Sequence, residues 1–588
     1  MTLSGLALRV RRACATACIV GLFDGAVVTS PEASWHVPRL EFADIPPRDP
    51  RTAPVTWSFR TTRAIVRRMT RDVLTDADHE QLAAHGLSVA NVTPQLEAYR
   101  RPPNYTRLLR PCTAGEGIQV LDEREAERLR GVHDAAIGAL TAVKFVPASG
   151  AATRMFKTAL QWLNRGRPLP RSEVRTAAAG DKSAAELETL LAGLPDLALW
   201  PALAECLGTR GVDPAAVLEG DDVRVVLDAM LTRRGLACAE LPKALLPFHR
   251  YGDEIRTPID EHFVEAAHYV RDARGICRLH FTVSEEHMDA CRDRAERAAL
   301  LYGKRFGVAY EVGFSVQQSS TDALAVDLEG TPFRDADGRL LLRPAGHGAL
   351  LVNLAALDAD VAFLKNIDNV VPDSRTAVVH AWKRTLGGLL VELRRTAFAH
   401  VDALEKSSAT ESVEHAIAFL RDELGVDVHA LVDASPEKRR ARAIALLDRP
   451  MRVCGIVPNT GEAGGGPFWV EDAEGTSKQI VESAQVDAGS ASQQAMFRTS
   501  THFSPVDIVC ALRDRQGRPY DLARYVDENA YLIVEKSHEG RPLRSIERPG
   551  LWNGSMARWN TVFVEVPLAT FAPVKTINDL LRAEHRSA

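Results

Sequence analysis

Five short stretches of this chain hold the residue types that could handle a densely charged substrate. The first is Val146-Pro-Ala-Ser-Gly-Ala-Ala-Thr-Arg-Met155, which follows the mostly apolar run Leu140 to Val146. Small side chains at a strand-to-helix turn let backbone N–H groups approach a phosphate, and the helix N-terminus adds a favourable partial charge. Arg154 supplies a forked, permanently charged donor to the same anion.

Four further stretches complete the set. Leu241-Pro-Lys-Ala-Leu-Leu-Pro-Phe248 holds Lys243 among apolar neighbours, as a point charge for phosphate oxygens. Arg343-Pro-Ala-Gly-His-Gly-Ala349 flanks His347 with glycines that let the backbone run against a flat ligand such as a nucleobase. Phe363-Leu-Lys-Asn-Ile-Asp-Asn-Val-Val371 ends a strand on Asp368, at the carboxyl edge of a sheet, where Mg²⁺ could bind. Phe571-Ala-Pro-Val-Lys-Thr-Ile-Asn-Asp-Leu-Leu581 fixes Lys575 just after Pro573. Each has a plainer reading: a surface lysine, a Gly-rich turn, or a cap at Asp368. Asp373 reads as a cap. Together the residue types suit attack by a sugar-phosphate oxygen on the α-phosphorus of a nucleoside triphosphate. That reaction depends mostly on positioning and charge neutralisation.

These residues need a sheet edge to converge on. Asp76 to Leu96 reads as amphipathic and largely helical with Asp76 or Asp78 as N-cap, broken by Arg101-Pro-Pro, and Glu123 to Val143 as another helical run. Arg171 to Leu241 reads as a helical insertion. Arg278 to Val283, Ala309 to Val316, Ala323 to Asp327 and Val361 to Ile367 read as strands. A second helical block covers Arg375 to Leu447, strands and turns return from Met451, and Gly464-Gly-Gly-Pro467 marks a tight loop. The expected class is α/β: a Rossmann-like mixed sheet with helical insertions and a strand-rich C-terminal part. The expected divisions are 1–68, an extension that is disordered or a mis-assigned start; 69–140, helical; 141–373, a nucleotide-binding core with its insert near 171–241; 374–450, a helical insert; and 451–588, the sugar-phosphate side.

Composition narrows the partners. A formal net charge of −5 with 25% charged residues gives no footprint for nucleic acid. Nine scattered cysteines without a CxxC pair suggest reduced thiols and a cytoplasmic protein. Met1 to Val28 weakly imitates a signal peptide, and Met69 is the alternative start. No segment holds the ~20 uninterrupted apolar residues of a membrane span, so no membrane partner is expected. The oligomeric state is open.

The five stretches, in this order, resemble the UDP-sugar pyrophosphorylases, nucleotidyltransferases of the GT-A-like fold. Ala148-Ser-Gly-Ala-Ala-Thr-Arg154 is similar to their A-G-G-x-G-T-R loop, Pro242-Lys243 to P-K, Gly346-His-Gly348 to G-H-G, and Asn366-Ile-Asp-Asn369 to N-V-D-N. Gln479-Ile-Val-Glu-Ser483 is similar to Q-V-V-E-Y, and Phe571 to Thr576 to F-x-P-V-K. Residues 69–588 also resemble an uncharacterised bacterial family, domain of unknown function 4301.

The resemblance implies that Ser149, Gly150, Thr153 and Arg154 hold the triphosphate. It implies that Lys243 meets phosphate, Gly346, His347 and Gly348 the base, and Asp368 Mg²⁺. Glu482 would take the sugar hydroxyls and Lys575 the sugar phosphate, with Asn553 or Asn560 as the sugar-side asparagine. The implied catalytic residues are Arg154, Lys243 and Lys575, and the implied substrates are an NTP, UTP preferred, and a sugar-1-phosphate. Ser149 and Ala152 depart from the loop pattern, and alanine at a positive φ would be strained. Ala345 departs before G-H-G, and the insert ahead of Lys243 is long. Two other classes remain. One is a non-catalytic nucleotide-sugar binding or regulatory protein. The other is a metal-dependent hydrolase using His262, His268, His280 and His287 with Glu261, Glu265, Glu285 and Glu286, although HExxH is absent.

Overall fold

A nine-stranded sheet organises the molecule. In the computed structural model its strands are β1 (Thr113–Ala114), β2 (Gly117–Gln119), β3 (Ala142–Pro147), β4 (Ile276–Thr282), β5 (Ala309–Ser315), β6 (Val361–Leu364), β7 (Met451–Pro458), β8 (His502–Ala511) and β9 (Asn560–Glu565). Their spatial order is β1-β2-β9-β7-β8-β6-β3-β4-β5. Only β8 runs against its neighbours, β6 and β7; the other pairs are parallel. The structure describes residues 73–586 except 151, 433, 462, 463 and 473. Expectations for residues 1–68 lie outside the described residues.

The central strands β3, β6 and β8 are buried on both faces, as expected where helices cover a sheet. Four of these helices matter for the site: α1 (Glu123–Ile137), α2 (Pro258–Tyr269), α3 (Met288–Phe306) and α4 (Thr376–Lys406). Helix α4 crosses α1 closely because it carries two glycines. A methyl on Gly388 would lie 2.0 Å from the Leu129 carbonyl oxygen, and one on Gly387 would meet His133 at 2.7 Å. The insertion forms helices from Arg171 to Leu231 around their own apolar core, including Trp162, Leu187, Leu203 and Leu227.

Several local expectations need correction. The run from Asp76 is two helices, Asp76–Ala84 and Val89–Ala98, separated by Gly86 at φ +77°. Thr75 is the first N-cap, and Asp78 closes its capping box. Segment 69–140 also supplies strands β1, β2 and Arg107–Pro111. Gly464 bends the chain at φ +158°, but Gly465 and Gly466 do not turn it: Gly465–Asp472 is a strand paired with Gly475–Glu482. Glycine serves there for closeness, since a methyl on Gly465 would sit 2.9 Å from Ile480 and one on Gly466 2.7 Å from Ser500. Asp373 is no simple cap, for its carboxylate takes two bonds from Arg256, at 2.7 and 2.9 Å.

Charge lies at the centre of the sheet. Glu265 of α2 accepts from Lys144 of β3 at 2.8 Å and from Lys365, just beyond β6, at 2.7 Å; all three are at most 1% exposed. The Tyr269 hydroxyl donates to the same carboxylate at 3.1 Å. Burial raises the Glu265 carboxyl, but Lys144 and Lys365 outweigh it and hold the group well below the usual range. Burial pushes Lys144 down to about 7.

Removing one partner of a buried ion cluster strands the others, at a cost of about 3–5 kcal/mol. Glu265→Gln should therefore lose stability on that scale in urea unfolding; a change of a few tenths would refute the coupling. A lysine with a lowered pKa has released its proton in the folded chain while the unfolded chain still holds it, up to about pH 10. Stability contributed through Lys144 thus rises with pH from about 7. Lys144→Met should flatten the rise in urea midpoint between roughly pH 7 and pH 9; equal slopes in both proteins would reject this.

Candidate nucleotide and sugar-phosphate site

Beyond β3 the chain stays in line for one more residue, Ala148, whose N–H donates to the Thr282 carbonyl at 2.8 Å. It then bends through Ser149 and Gly150 into a 3₁₀ turn, Ala152–Arg154, and the helix Lys157–Leu163. Neither Ser149 nor Gly150 has a positive φ, and Ala152 opens a right-handed 3₁₀ turn, so the strain expected of alanine at that position does not arise. The loop is held by the segment that carries Lys243. Ala152 N–H donates to Leu241 O at 3.1 Å, and Lys243 N–H to Gly150 O at 3.1 Å. The N–H groups of Ser149 and Gly150 find no acceptor among the described residues.

The segment after β6 is zipped to the C-terminal stretch. Val574 N–H donates to Asp368 O at 3.0 Å, and Ala572 N–H to Asn369 Oδ1 at 3.0 Å. This pairing carries Lys575 to Asp368, leaving its Nζ 3.6 Å from Oδ2. Lys243 Nζ donates to the same oxygen at 2.8 Å and to the Val574 carbonyl at 2.8 Å. Asp368 therefore does not cap its turn; it gathers two lysines. Its Oδ1 takes no hydrogen bond among the described residues.

A cavity of about 700 Å³ opens over this cluster. Ser149, Gly150 and Arg154 line one side, and Gly346 and His347 another. Arg154 is exposed and pairs with no carboxylate among the described residues. Gly346 needs its φ of +74°, and a methyl there would press on Glu547 at 3.3 Å. The His347 ring stacks on Trp552 at 4.2 Å, and its Nδ1 accepts from the Leu551 N–H at 3.0 Å. That bond leaves the proton on Nε2, 3.8 Å from Glu482 Oε1. Burial lowers the His347 pKa, which favours the neutral ring.

A smaller cavity of about 160 Å³ adjoins the first, sharing Asn366, Asp368, Trp552 and Lys575, and Glu482 lines it. Trp552 Nε1 donates to Glu482 at 3.3 Å. Glu482 therefore stands at the wall of the smaller cavity, beside Trp552.

Other assigned residues lie elsewhere. Thr153 is exposed, and its hydroxyl donates to Ala239 O at 3.2 Å, tying the loop to the insert. Gly348 does not line the cavity: a methyl there would fall 2.1 Å from the Pro549 carbonyl oxygen, so its smallness serves packing. Asn553 is buried behind the smaller cavity, donating to Ile480 O and Gln485 Oε1, both at 2.9 Å. Asn560 opens β9 and donates to Leu446 O at 2.9 Å, away from both cavities.

The histidines that suggested a metal centre scatter. His262 bonds Ile367 O, His280 bonds Ser315, and His268 stacks on His380. Among the described residues no group of three or more His, Cys, Asp or Glu could hold a metal ion.

Trp552, Lys536 and Glu547 are among the cavity residues that went unassigned in the sequence. Trp552 stands beside Asn553 and was legible only as a neighbour. Lys536 and Glu547, paired at 2.9 Å, come from a hairpin of Leu532–His538 and Arg541–Glu547. No local pattern marks either, because only the hairpin's path brings them over Gly346.

No curated protein matches the chain. Among solved structures it is similar to the uridine diphosphate N-acetylglucosamine pyrophosphorylase from Trypanosoma brucei, solved in complex with an inhibitor. That match has 13% identity and a TM-score of 0.43, and covers 90% of this chain and 85% of the other. A UDP-glucose phosphorylase from Trypanosoma brucei matches at 14% identity and a TM-score of 0.40, covering 87% and 80%. Residues 75–586 match the family described as Domain of unknown function (DUF4301), and the chain belongs to that family.

Proposed function

We propose that this protein is a nucleotidyltransferase that joins an NTP to a sugar-1-phosphate, releasing pyrophosphate, with Mg²⁺ as cofactor and UTP as the preferred nucleotide. The observation that carries the reading is the convergence of Lys243 and Lys575 on one carboxylate, Asp368, beneath a cavity that Arg154 also lines. A binding protein has little need of three phosphate-directed cations around a carboxylate.

The donor set fits Mg²⁺. This hard cation takes one or two carboxylates and fills its remaining positions with water and substrate phosphates, and Asp368 offers a free Oδ1. When bound, the ion would offset the triphosphate charge. The chain's own residues do the rest. The loop N–H groups and Arg154 hold the triphosphate, and the pair of His347 and Trp552 offers a flat face for the base. Lys243 and Lys575 exchange Asp368 for phosphate oxygens as substrates enter. A sugar-1-phosphate oxygen is already ionised at neutral pH, so its attack on the α-phosphorus needs no general base. The bond between the α-phosphorus and the bridging oxygen breaks, and pyrophosphate leaves with the electron pair. Lys243 and Lys575, neutralising charge that grows on these oxygens, would lower the barrier.

The test is pyrophosphate release with Mg²⁺ across NTPs crossed with a panel of sugar-1-phosphates. Release should require both substrates and fall by about 10²–10³-fold or more in Asp368→Ala. Release that needs only the NTP, or that survives the substitution, would overturn the reading. Gly150→Ala adds a second check, because a methyl there meets nothing within 4 Å and breaks no backbone rule. Its melting temperature should stay that of the parent, while kcat/KM falls by roughly 100-fold as the methyl displaces the triphosphate. An unimpaired Gly150→Ala enzyme would remove the loop from the site.

A further inference from the structure

A second polar recess lies at the opposite edge of the sheet, where β9 begins and β7 is about to start. It is a niche of about 80 Å³, lined by Arg442, Arg449, Lys478, Trp559 and Thr561 among others, with room for several water molecules or one small ion. Lys478 projects from the strand Gly475–Glu482 and is only 8% exposed. Its ammonium has no hydrogen-bond acceptor among the described residues; it lies beside Gly425, where a methyl would fall 2.6 Å away, and 5.9 Å from the Trp469 ring. Burial holds its pKa down to about 8.

The other donors are similarly uncommitted. Trp559 Nε1 is buried without an acceptor. Arg449 donates only to the carbonyl oxygens of Ala445 and Arg558, at 3.3 and 3.4 Å. Arg442 pairs with no carboxylate among the described residues. The acids that line the same niche, Asp427, Asp472 and Glu474, are already engaged. Asp472 and Glu474 receive Arg558, and Asp427 accepts the His429 and Thr476 N–H groups.

A buried ammonium without a counter-charge is costly, and here it faces a niche in which four cations, Arg442, Arg449, Lys478 and Arg558, meet three carboxylates, two of which are taken up by Arg558. We infer that this niche binds a phosphate group, with Lys478, Arg449 and Arg442 as its donors. A cavity of about 620 Å³ adjoins it, sharing Asp472, Ser477, Ala557 and Arg558, and has space for the rest of a phosphorylated metabolite. The site is separate from the Asp368 cavity and does not rest on the proposed activity.

The experiment is calorimetric titration of the full chain with inorganic phosphate and, separately, with a sugar-6-phosphate. Parent, Lys478→Met, Arg442→Met and Lys243→Met are compared, the last reporting on the Asp368 cavity. Binding should survive in Lys243→Met and weaken on the order of tenfold or more in the other two. Tighter binding of the ester assigns the adjoining cavity to its sugar, and equal binding assigns the niche to the free ion. Lys478→Met removes a buried unpaired charge in favour of an apolar side chain, so it should melt no lower than the parent without phosphate and gain less from adding it. Arg442 is exposed, so its variant gives a reading even if Lys478→Met does not fold. Absence of binding in the parent, unchanged affinity in the Lys478 and Arg442 variants, or loss confined to Lys243→Met would overturn the inference.

Discussion

The bridge of Glu265 between Lys144 and Lys365 is the contact on which the site depends. It joins α2 to β3, whose end opens into the Ser149–Arg154 loop, and to the residue immediately before Asn366 and Asp368. His262, one turn earlier on α2, bonds the Ile367 carbonyl at 3.3 Å. One helix thus fixes the two strand ends that, in the proposed function, would present the loop and Asp368 to the same ligand. Well-packed apolar residues of similar volume would give comparable stability at such a position. They would not fix the relative register of β3, β6 and α2 through directional bonds. With two lysines on one carboxylate, the cluster also carries an excess positive charge unless Lys144 releases its proton, which its lowered pKa favours.

The same economy of charge governs the cavity. The chain is acidic overall, at −5, yet Arg154, Lys243, Lys536 and Lys575 line one cavity whose carboxylates are Asp368 and Glu547. Two of these cations rest on Asp368 and one on Glu547. The pairing keeps lysines oriented at the cavity floor, where they would otherwise repel one another. A polyphosphate carries more negative charge than a single carboxylate, so Coulomb attraction would favour an exchange of partners with the proposed substrate. Arg154, exposed and without a carboxylate, is the cation available for first encounter.

Much of this was legible in the sequence, and the failures share a cause. The alternation of apolar runs with helical stretches revealed the α/β class, and both helical blocks lie where their periodicity put them, because burial on one face imposes spacing that survives in sequence. Arg154, Lys243, Asp368, His347 and Lys575 were legible because each follows a strand or turn whose small or rigid neighbours leave a local trace. Gly348, Gly465 and Gly466 misled because glycine serves close packing as readily as turning, and only the facing atoms distinguish the two uses. Asn553 and Asn560 had the right residue type but the wrong surroundings: each spends its amide on a buried carbonyl. The Glu265 cluster and Lys536 left no local trace at all, since their partners are distant in the chain or meet only through the path of a hairpin.

The long insertion between Arg154 and Lys243 shows how such distances are managed. Its two ends are bonded to each other through Ala152 with Leu241 and Gly150 with Lys243. The helices between them therefore form a closed excursion that leaves the spacing of Arg154 and Lys243 intact, and lengthening a loop whose ends are already fixed costs little. The insertion also reaches back to the chain's far end. Asn578 donates to Glu186 O at 2.8 Å, and Ile577 and Leu580 join the apolar core of the insert. Lys575 thus lies between two anchors: the backbone of Asp368 and Asn369 before it, and the insert after it. A lysine so near the end of a chain would otherwise have few contacts to define its position. The helices that separate two site residues in sequence are what hold a third against them.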